Sequence, residues 1–481
     1  MEANMQTAMP HMTLANIANA CAGTYVGSDS AAGEEVTGIV TDSRQVQDGY
    51  LFAAVKGERV DGHDFIPQVF AQGAKAVLCE QEPANADGPY ILVDSTLEAL
   101  KKIASFYRSG LDLKVVGITG SVGKTSTKEM IASVLSQKYS VLKTAGNFNN
   151  ELGLPLTIFR IRKEHEVAVL EMGISDFGEM HRLAAIANPD IGVITNIGWC
   201  HLENLKTRDG ILQAKTEMFV HMKAGGIAIL NGDDDKLCTQ KEVNGAAPVF
   251  YGIPEKMEGR PESEYEPHPS VWASNVENLG FEGMRTDIHT PEGSFSAEIS
   301  IPGEHNVYNA LAATAVGLTL GLTIDEIQRG IASAGTIAGR TNFIRKNGMI
   351  IIDDCYNANP VSMKSSIEVL SHAAGRSIAV LGDMGELGSD ERALHYEVGT
   401  CVGEQKIDAL FCAGVLAKEY KKAAEAANPD CEIFYFPTRD EMLPSLLGYV
   451  REGDTVLVKA SHFMQFPEVV SALQNRPQPI Q

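Results

Sequence analysis

The chain has 481 residues, 44% of them hydrophobic and 21% charged, with 40 basic and 62 acidic side chains and a formal net charge of −22. That length exceeds one ordinary core and predicts about three domains, while so acidic a surface, without a Lys/Arg cluster, argues against nucleic acid and anionic lipid as partners. No apolar run approaches the roughly 18 residues of a membrane span, no basic-then-apolar leader opens the chain, and eight cysteines without paired spacing predict a reducing, cytoplasmic setting rather than disulfides or zinc.

Short strands and helices alternate up to about Leu111. Gly38-Ile39-Val40 reads as a strand leading into Thr41-Asp42-Ser43-Arg44, and Tyr50 to Val55 as another. Phe65 to Gln72 reads as a helix and Ala76-Val77-Leu78 as a strand. Glu98 to Ser109 is amphipathic, with Leu100, Ile103, Ala104 and Tyr107 on one face.

From Lys114 the pattern becomes strand, helix, strand. Val115 to Thr119, Glu166 to Met172, Ile191 to Ile197 and Gly226 to Leu230 are apolar strands with helices between them, the first from about Lys124 to Gln137. Such alternation predicts a parallel sheet covered on both faces. The character shifts between about Val249 and Ile301, where Arg285 to Thr290 and Ser294 to Ile301 flank Pro291-Glu292-Gly293 as a hairpin. An alanine-rich helix follows from near Asn306. Beyond Gly339, Met349 to Asp353, Ser377 to Leu381, Ala409 to Cys412, Glu432 to Phe436 and Thr455 to Lys459 read as strands of a second, Rossmann-like α/β unit. It lacks the Gly-x-Gly-x-x-Gly fingerprint, so no dinucleotide is expected there. The tail from Asn475 is short and polar. The expected fold class is therefore α/β in three domains: residues 1–112, a central unit at 113–335 with a mostly parallel sheet and an added hairpin region, and 336–481.

The strongest local signal is Gly117-Ile-Thr-Gly-Ser-Val-Gly-Lys-Thr125, which follows an apolar strand and opens a helix. Glycines let backbone N–H groups turn toward phosphate oxygens, and the helix N-terminus adds partial positive charge. Gly120, Ser121, Val122, Gly123, Lys124, Thr125 and Ser126 would wrap the phosphates of ATP, with Lys124 on the β- and γ-phosphates and Thr125 helping to hold Mg²⁺. Strict spacing wants glycine where Ile118 stands.

Glu171 ends an apolar strand, where the carboxyl edge of a parallel sheet faces a ligand crevice, and a hard carboxylate there suits Mg²⁺. Taken alone, such a glutamate is more often solvated or a capping partner. Asn196-Ile-Gly-Trp-Cys-His-Leu-Glu203 follows the next strand; a lone His201 is more often structural, yet it shares that edge with Lys124 and Glu171. Lys215 alone reads as a solvated helix lysine.

Together these pieces resemble the Mur ligase family. Thr119 to Thr125, including the departure at Ile118, is similar to that family's phosphate loop; Glu171, His201 to Glu203 and Lys215 match its strand-end glutamate, His-Leu-Glu/Asp and helix lysine. The likeness continues through His305-Asn-Val-Tyr-Asn-Ala, Gly339-Arg340, Asp353-Asp354 and Leu381-Gly-Asp-Met, over nearly the whole chain. Ile352-Asp-Asp-Cys-Tyr-Asn-Ala-Asn-Pro360 and Leu381-Gly-Asp-Met-Gly-Glu-Leu-Gly388, followed by His395, favour the branch that joins D-alanyl-D-alanine to UDP-N-acetylmuramoyl-tripeptide. Thr41 to Arg44 and Asp61-Gly-His-Asp-Phe65 resemble the uridine-nucleotide domain of that branch. Lys459-Ala-Ser-His462 departs from the Lys-Gly-Ser-Arg of many relatives.

The resemblance implies an acyl-phosphate mechanism driven by ATP, with Mg²⁺ held by Thr125 and Glu171 and a second ion near His201. It implies a carbamylated Lys215, and Asn309 at adenine, Arg340 at the γ-phosphate and Asp354 at the ribose. Without the family, Arg340 reads as a surface salt bridge. Ser43, Arg44, Asn147, Asn149, Asn150, Tyr356, Asn357 and Asn359 are the expected substrate contacts, although the three loop asparagines are equally good turn formers. The C-terminal domain is expected to close over ATP, and the chain to be a monomer. The competing readings are a sister ligase adding a single amino acid, whose Asp-Asn/Asp-Pro-Arg-like motif is not found, and a P-loop nucleotide switch, which needs no carboxylate and amine together.

Overall fold

The computed structural model describes residues 8–57, 59–84, 87–257 and 268–476. The polar tail beyond Arg476, and residues 258–267 within the region of changed character, lie outside them. Three sheets organise the chain, of five, nine and six strands. The expected divisions at 112/113 and 335/336 fall between sheets, in the stretches from Leu92 to Lys114 and from Ile299 to Asn342.

The first sheet runs Thr24–Val26, Tyr90–Leu92, Ala76–Cys79, Tyr50–Ala53, Gly38–Val40, antiparallel at its first pair and parallel thereafter. The two strands not anticipated from the sequence, Thr24–Val26 and Tyr90–Leu92, have three residues each, too short to express a period. The helix Thr96–Ser109 presents the expected face, but Leu100, Ile103, Ala104 and Tyr107 enter a core continuous with the central domain. Polar contacts reinforce that seam: the Tyr107 hydroxyl donates to the Ile161 carbonyl at 2.7 Å, and Arg108 Nε to the Ala187 carbonyl at 3.0 Å.

The central sheet places Lys114–Thr119 between Val167–Glu171 and Ile191–Ile194, with Ile118 in register with both Glu171 and Val193. Chain order reverses at this strand, so a crevice opens at the shared carboxyl edge. Val115, Val116 and Ile118 are buried, as β-branched residues should be in a strand covered on both faces. Ile118 explains the departure from strict spacing: it fills the core as a strand residue, and the turn starts at Gly120, where φ is +152°. The expected hairpin forms from Met284–Thr290 and Gly293–Ile299, but it is no separate region. Parallel strands Ile227–Asn231, Val249–Gly252 and Val271–Asn278 lead to it, and it continues the same sheet in antiparallel register.

Behind this sheet the helix Lys124–Leu135 packs against His305–Thr319 and Ile324–Ala332. The alanines of His305–Thr319 are buried along its length, and small side chains permit that close approach. At Gly330 an added Cβ would stand 2.4 Å from the Val134 Cα, so the two backbones nearly touch. A capping box of Thr323 and Glu326 starts Ile324–Ala332.

The third sheet runs Asn342–Lys346, Met349–Asp353, Thr455–Lys459, Ser377–Gly382, Ala409–Ala413, Glu432–Phe436, antiparallel at the first pair only. It has its own apolar cores on both faces. Its meeting with the central domain is made by side-chain contacts: His201 with Glu386 at 2.6 Å, Asn278 with His372 at 3.0 Å, and the rings of Phe281 and Phe343 at 5.1 Å. The N-terminal domain is thus fused to the central one through a shared core, whereas the C-terminal domain is docked. No helix among the described residues is long and apolar enough to cross a membrane.

Candidate active site

A cavity of about 1350 Å³ lies where the three domains meet, walled by the phosphate loop, the carboxyl edge of the central sheet and one loop cluster from each outer domain. Glycine makes the phosphate loop feasible. At Gly120 a Cβ would stand 1.9 Å from Thr195 Oγ1, and Gly123 begins the helix at φ +82°. The loop is braced from behind by residues the sequence reading did not single out. Asn196 accepts from the Val122 N–H and donates to the Val122 carbonyl, both at 3.0 Å, and the Thr195 hydroxyl donates to that carbonyl at 2.6 Å. Lys124 folds back to donate to the Gly120 carbonyl at 2.8 Å. Burial lowers its pKa, with Arg340 adding and Cys200 and Glu171 opposing.

Glu171 is 1% exposed, which corrects the reading of a solvated glutamate. Its Oε1 accepts from Thr125 Oγ1 at 3.1 Å and Asn149 Nδ2 at 2.8 Å. Among the described residues its Oε2 is buried without a hydrogen-bond partner, with the ammonium of Lys128 at 3.4 Å. Lys128 escaped the sequence reading, although its position four residues after Lys124 puts both on one helix face. An orphaned carboxylate oxygen beside a threonine hydroxyl is a donor set suited to Mg²⁺. Among the described residues no group of three or more His, Cys, Asp or Glu could hold a metal by itself.

His201 is on the cavity wall, and its Nδ1 meets Glu386 Oε2 at 2.6 Å. The contact with His201 holds the Glu386 carboxyl below its usual pKa. Lys215 is 1% exposed rather than a solvated helix lysine, because the helix Arg208–Thr216 buries it on the same side as Ile211 and Ala214. It does not line the cavity, and its ammonium has no hydrogen-bond or ion-pair partner among the described residues. Burial depresses its pKa to about 8, Lys124 adding to the effect and Cys200 opposing it.

The C-terminal domain contributes Arg340, Asp354, Tyr356, Asn357 and Asn359 to the wall. Among the described residues Arg340 has no salt-bridge partner; its guanidinium stacks 4.1 Å over the Tyr356 ring. Asp354 is buried and internally engaged, accepting from the Thr341 N–H at 3.0 Å and from Lys459 Nζ at 2.6 Å. Asn359 caps the helix Pro360–Ser371 through the Ser362 N–H. Asn309 is on the wall too, with its Oδ1 accepting from Thr127 Oγ1 at 2.6 Å. Asn147, Asn149 and Asn150 all reach the cavity; Asn150 also serves as a turn former, accepting from the Gly153 N–H at 2.8 Å. His395 is buried and structural, accepting from the Met384 N–H at 2.9 Å, and His462, at the departure from the family pattern, is exposed with its ring 6.1 Å from that of Tyr356.

Ser43 and Arg44 are not brought to this wall. Ser43 is buried, and Arg44 is exposed and paired with Asp42 at 2.7 Å. The Asp61 to Phe65 stretch is a braced turn, in which His63 bonds Asp61 at 2.6 Å and accepts from the Glu80 N–H at 2.9 Å. The N-terminal domain reaches the cavity instead through Val55, Lys56, Gly57, Leu97, Glu98 and Lys101.

Comparison with known proteins gives one answer along the chain. The family model described as Mur ligase middle domain matches residues 118–317, that of the Mur ligase, glutamate ligase domain matches 339–462, and that of the Mur ligase family, catalytic domain matches 35–108. UDP-N-acetylmuramoyl-tripeptide--D-alanyl-D-alanine ligase of Bacillus subtilis (strain 168) is 36% identical over 475 residues, 97% of this chain and 99% of that one. A crystal structure of MurF from Acinetobacter baumannii superposes with a TM-score of 0.84 at 34% identity, covering 96% of this chain and 98% of its own. MurF ligase from Thermotoga maritima, in complex with ADP, gives a TM-score of 0.77 at 33% identity, covering 91% and 97%.

Proposed function

The chain belongs to the Mur ligase family, and on that premise we propose that it is the ATP-dependent ligase that joins D-alanyl-D-alanine to UDP-N-acetylmuramoyl-tripeptide. The observation that carries this reading is the single cavity in which the phosphate loop, Glu171 and the Tyr356–Asn359 loop converge from two domains, with a third domain closing one side. A nucleotide switch needs only the first of these. The relatives that span 97% of the chain carry this activity in their names.

A carboxylate is a poor electrophile, so it is first activated. An oxygen of the tripeptide's terminal carboxylate attacks the γ-phosphorus of ATP, the bond to ADP breaks, and an acyl phosphate forms. The amine of D-alanyl-D-alanine then attacks the acyl carbon, phosphate leaves, and the amide nitrogen loses its proton. Positioning and charge neutralisation supply most of the catalysis in such a transfer. Lys124, released from the Gly120 carbonyl, would pair with the β- and γ-phosphates, and Arg340, held flat by Tyr356, would meet the transferring phosphoryl group. Mg²⁺, held by Thr125 and Glu171 with a second ion at His201, would screen the repulsion between phosphate and incoming carboxylate. Lys215 is the expected site of carbamylation, which would convert a buried, unpaired cation into an anion. Burial of the acyl phosphate beneath the docked C-terminal domain would exclude water. The setting is the cytoplasm, where the nucleotide precursor and ATP are found together.

The test is phosphate release from ATP with UDP-N-acetylmuramoyl-tripeptide, with and without D-alanyl-D-alanine, with the product identified by mass. Release requiring both, with a UDP-pentapeptide formed, supports the proposal. Release with a single amino acid in place of the dipeptide would move the chain to a sister ligase, and release with neither substrate would make it a nucleotide switch.

A further inference from the structure

The stretch Leu381 to Gly388 is built so that one side chain leaves it. Asp383 accepts from the N–H groups of Val415, Leu416 and Ala417 at 2.8, 3.1 and 2.7 Å. The Met384 N–H donates to His395 Nε2 at 2.9 Å and the Gly385 N–H to Ser461 Oγ at 2.8 Å. Leu387 is buried, and an added Cβ at Gly388 would lie 3.7 Å from Leu202, so the loop rests on the short helix that His201 opens. Between these anchors Glu386 takes φ +61°, and across the domain boundary His201 takes φ +49°. Left-handed backbone is costly for a non-glycine residue and persists only where surrounding contacts impose it.

The two side chains meet with His201 Nδ1 at 2.6 Å from Glu386 Oε2. An ionised carboxylate only accepts, so Nδ1 must carry the proton. In the neutral ring the lone pair is then on Nε2, for which the described residues provide no partner. Histidine ligands are commonly held this way, their far nitrogen donating to a carboxylate that sets tautomer and ring angle. An exposed ion pair alone would be worth little, but two strained backbones facing one another mark a built contact.

We propose that Glu386 is a positioning residue for His201: carried in by the C-terminal domain, it fixes the imidazole with its Nε2 lone pair available at the cavity wall, so the His201 ligand position is complete only when the two domains meet. This rests on the reading of His201 as a metal ligand. It gives domain docking a chemical consequence, because the cation position near the phosphates would be assembled from both sides of the boundary.

The first readout needs no metal and no turnover. In ¹⁵N-histidine-labelled protein, with the His201 signal assigned by its loss in His201→Asn, the wild type is expected to show protonated Nδ1 and bare Nε2. Glu386→Ala is expected to drift toward the Nε2–H form that free histidine prefers, while Glu386→Gln, whose amide oxygen still accepts, keeps the wild-type pattern. In the second readout, the Mg²⁺ concentration for half-maximal phosphate release is expected to rise about tenfold in Glu386→Ala, with most of that loss recovered in Glu386→Gln. Identical nitrogen spectra in wild type and Glu386→Ala, or an unchanged Mg²⁺ requirement, would overturn the proposal. Failure of the substrate reading would look different: no protein would show release that requires both UDP-N-acetylmuramoyl-tripeptide and D-alanyl-D-alanine, with the nitrogen spectra still reporting the contact.

Discussion

Lys128 Nζ and Glu171 Oε2 stand 3.4 Å apart beneath the phosphate loop, each side chain 1% exposed. The pair joins the first turns of the phosphate-loop helix to the end of the neighbouring strand. Removing one partner of a buried pair leaves the other charge without compensation, which is far more costly than the pair is worth. Lys128→Met should therefore destabilise the protein by about 3 kcal/mol in urea unfolding. Adding Mg²⁺ and ATP should recover more stability in the variant than in the wild type, because the cation then supplies the charge Glu171 has lost.

Lys215 ties stability to alkaline pH. Its folded-state pKa is about 8 against an ordinary 10.5. Below about 8 the lysine is protonated folded or unfolded, and the full cost of burying the charge is felt. Between the two values the unfolded chain binds the extra proton, so stability rises with pH. In CO₂-free buffer, wild-type stability relative to Lys215→Met should rise by about 3 kcal/mol from pH 8 to 10.5. A flat difference in chemical denaturation would place the ammonium in a better-solvated setting.

The same lysine offers a second check under ordinary air. A neutral amine takes up CO₂ and releases a proton to give a carbamate, so the depressed pKa favours the modification near neutral pH. Lys215→Ala should lose most activity, and short carboxylic acids, entering the space left behind, should restore part of it. An Ala variant with full activity, or one that no carboxylic acid rescues, would remove the carbamate from the mechanism.

Asn196 holds Val122 through two hydrogen bonds, so its effect on nucleotide is through loop shape. At about 1 kcal/mol for each of the two hydrogen bonds, Asn196→Ala should weaken ATP binding by up to roughly thirtyfold, read by calorimetry with a non-hydrolysable analogue. Asn196→Asp keeps the acceptor for the Val122 N–H, loses the donor to its carbonyl and adds an anion near phosphate, and should be worse than alanine.

Arg340 works as a plane as well as a charge. Stacking on Tyr356 at 4.1 Å fixes the guanidinium, and lysine has neither the plane nor the fork. Arg340→Lys should lower kcat about a hundredfold, in the range seen when one transition-state donor is lost, with little change in KM for the tripeptide. Tyr356→Phe keeps the ring and should cost much less than Tyr356→Ala.

The sequence by itself determined the three α/β units, the phosphate loop and the order of the site residues along the chain. These are local matters: a strand of buried β-branched residues, a glycine turn and a helix start express themselves within about ten residues. The sequence also determined Glu171 and His201 as edge residues, because the first ends an apolar strand and the second lies in the loop after the next one. Only the tertiary structure decided which partners they meet. Glu171 is paired by Lys128 and His201 by Glu386, contacts that need a helix face in one case and a domain boundary in the other. Only the fold could bury Lys215, since a helix lysine looks the same in sequence whether its face meets water or the protein interior. Arg44 and His63 went the other way: their motifs are local and legible, but the fold spends them on turns within the first domain, while Lys56 and Lys101, unremarkable in sequence, reach the cavity. Spacing along a chain fixes short-range geometry through backbone sterics, whereas burial and long-range pairing depend on which faces the packed elements present to one another.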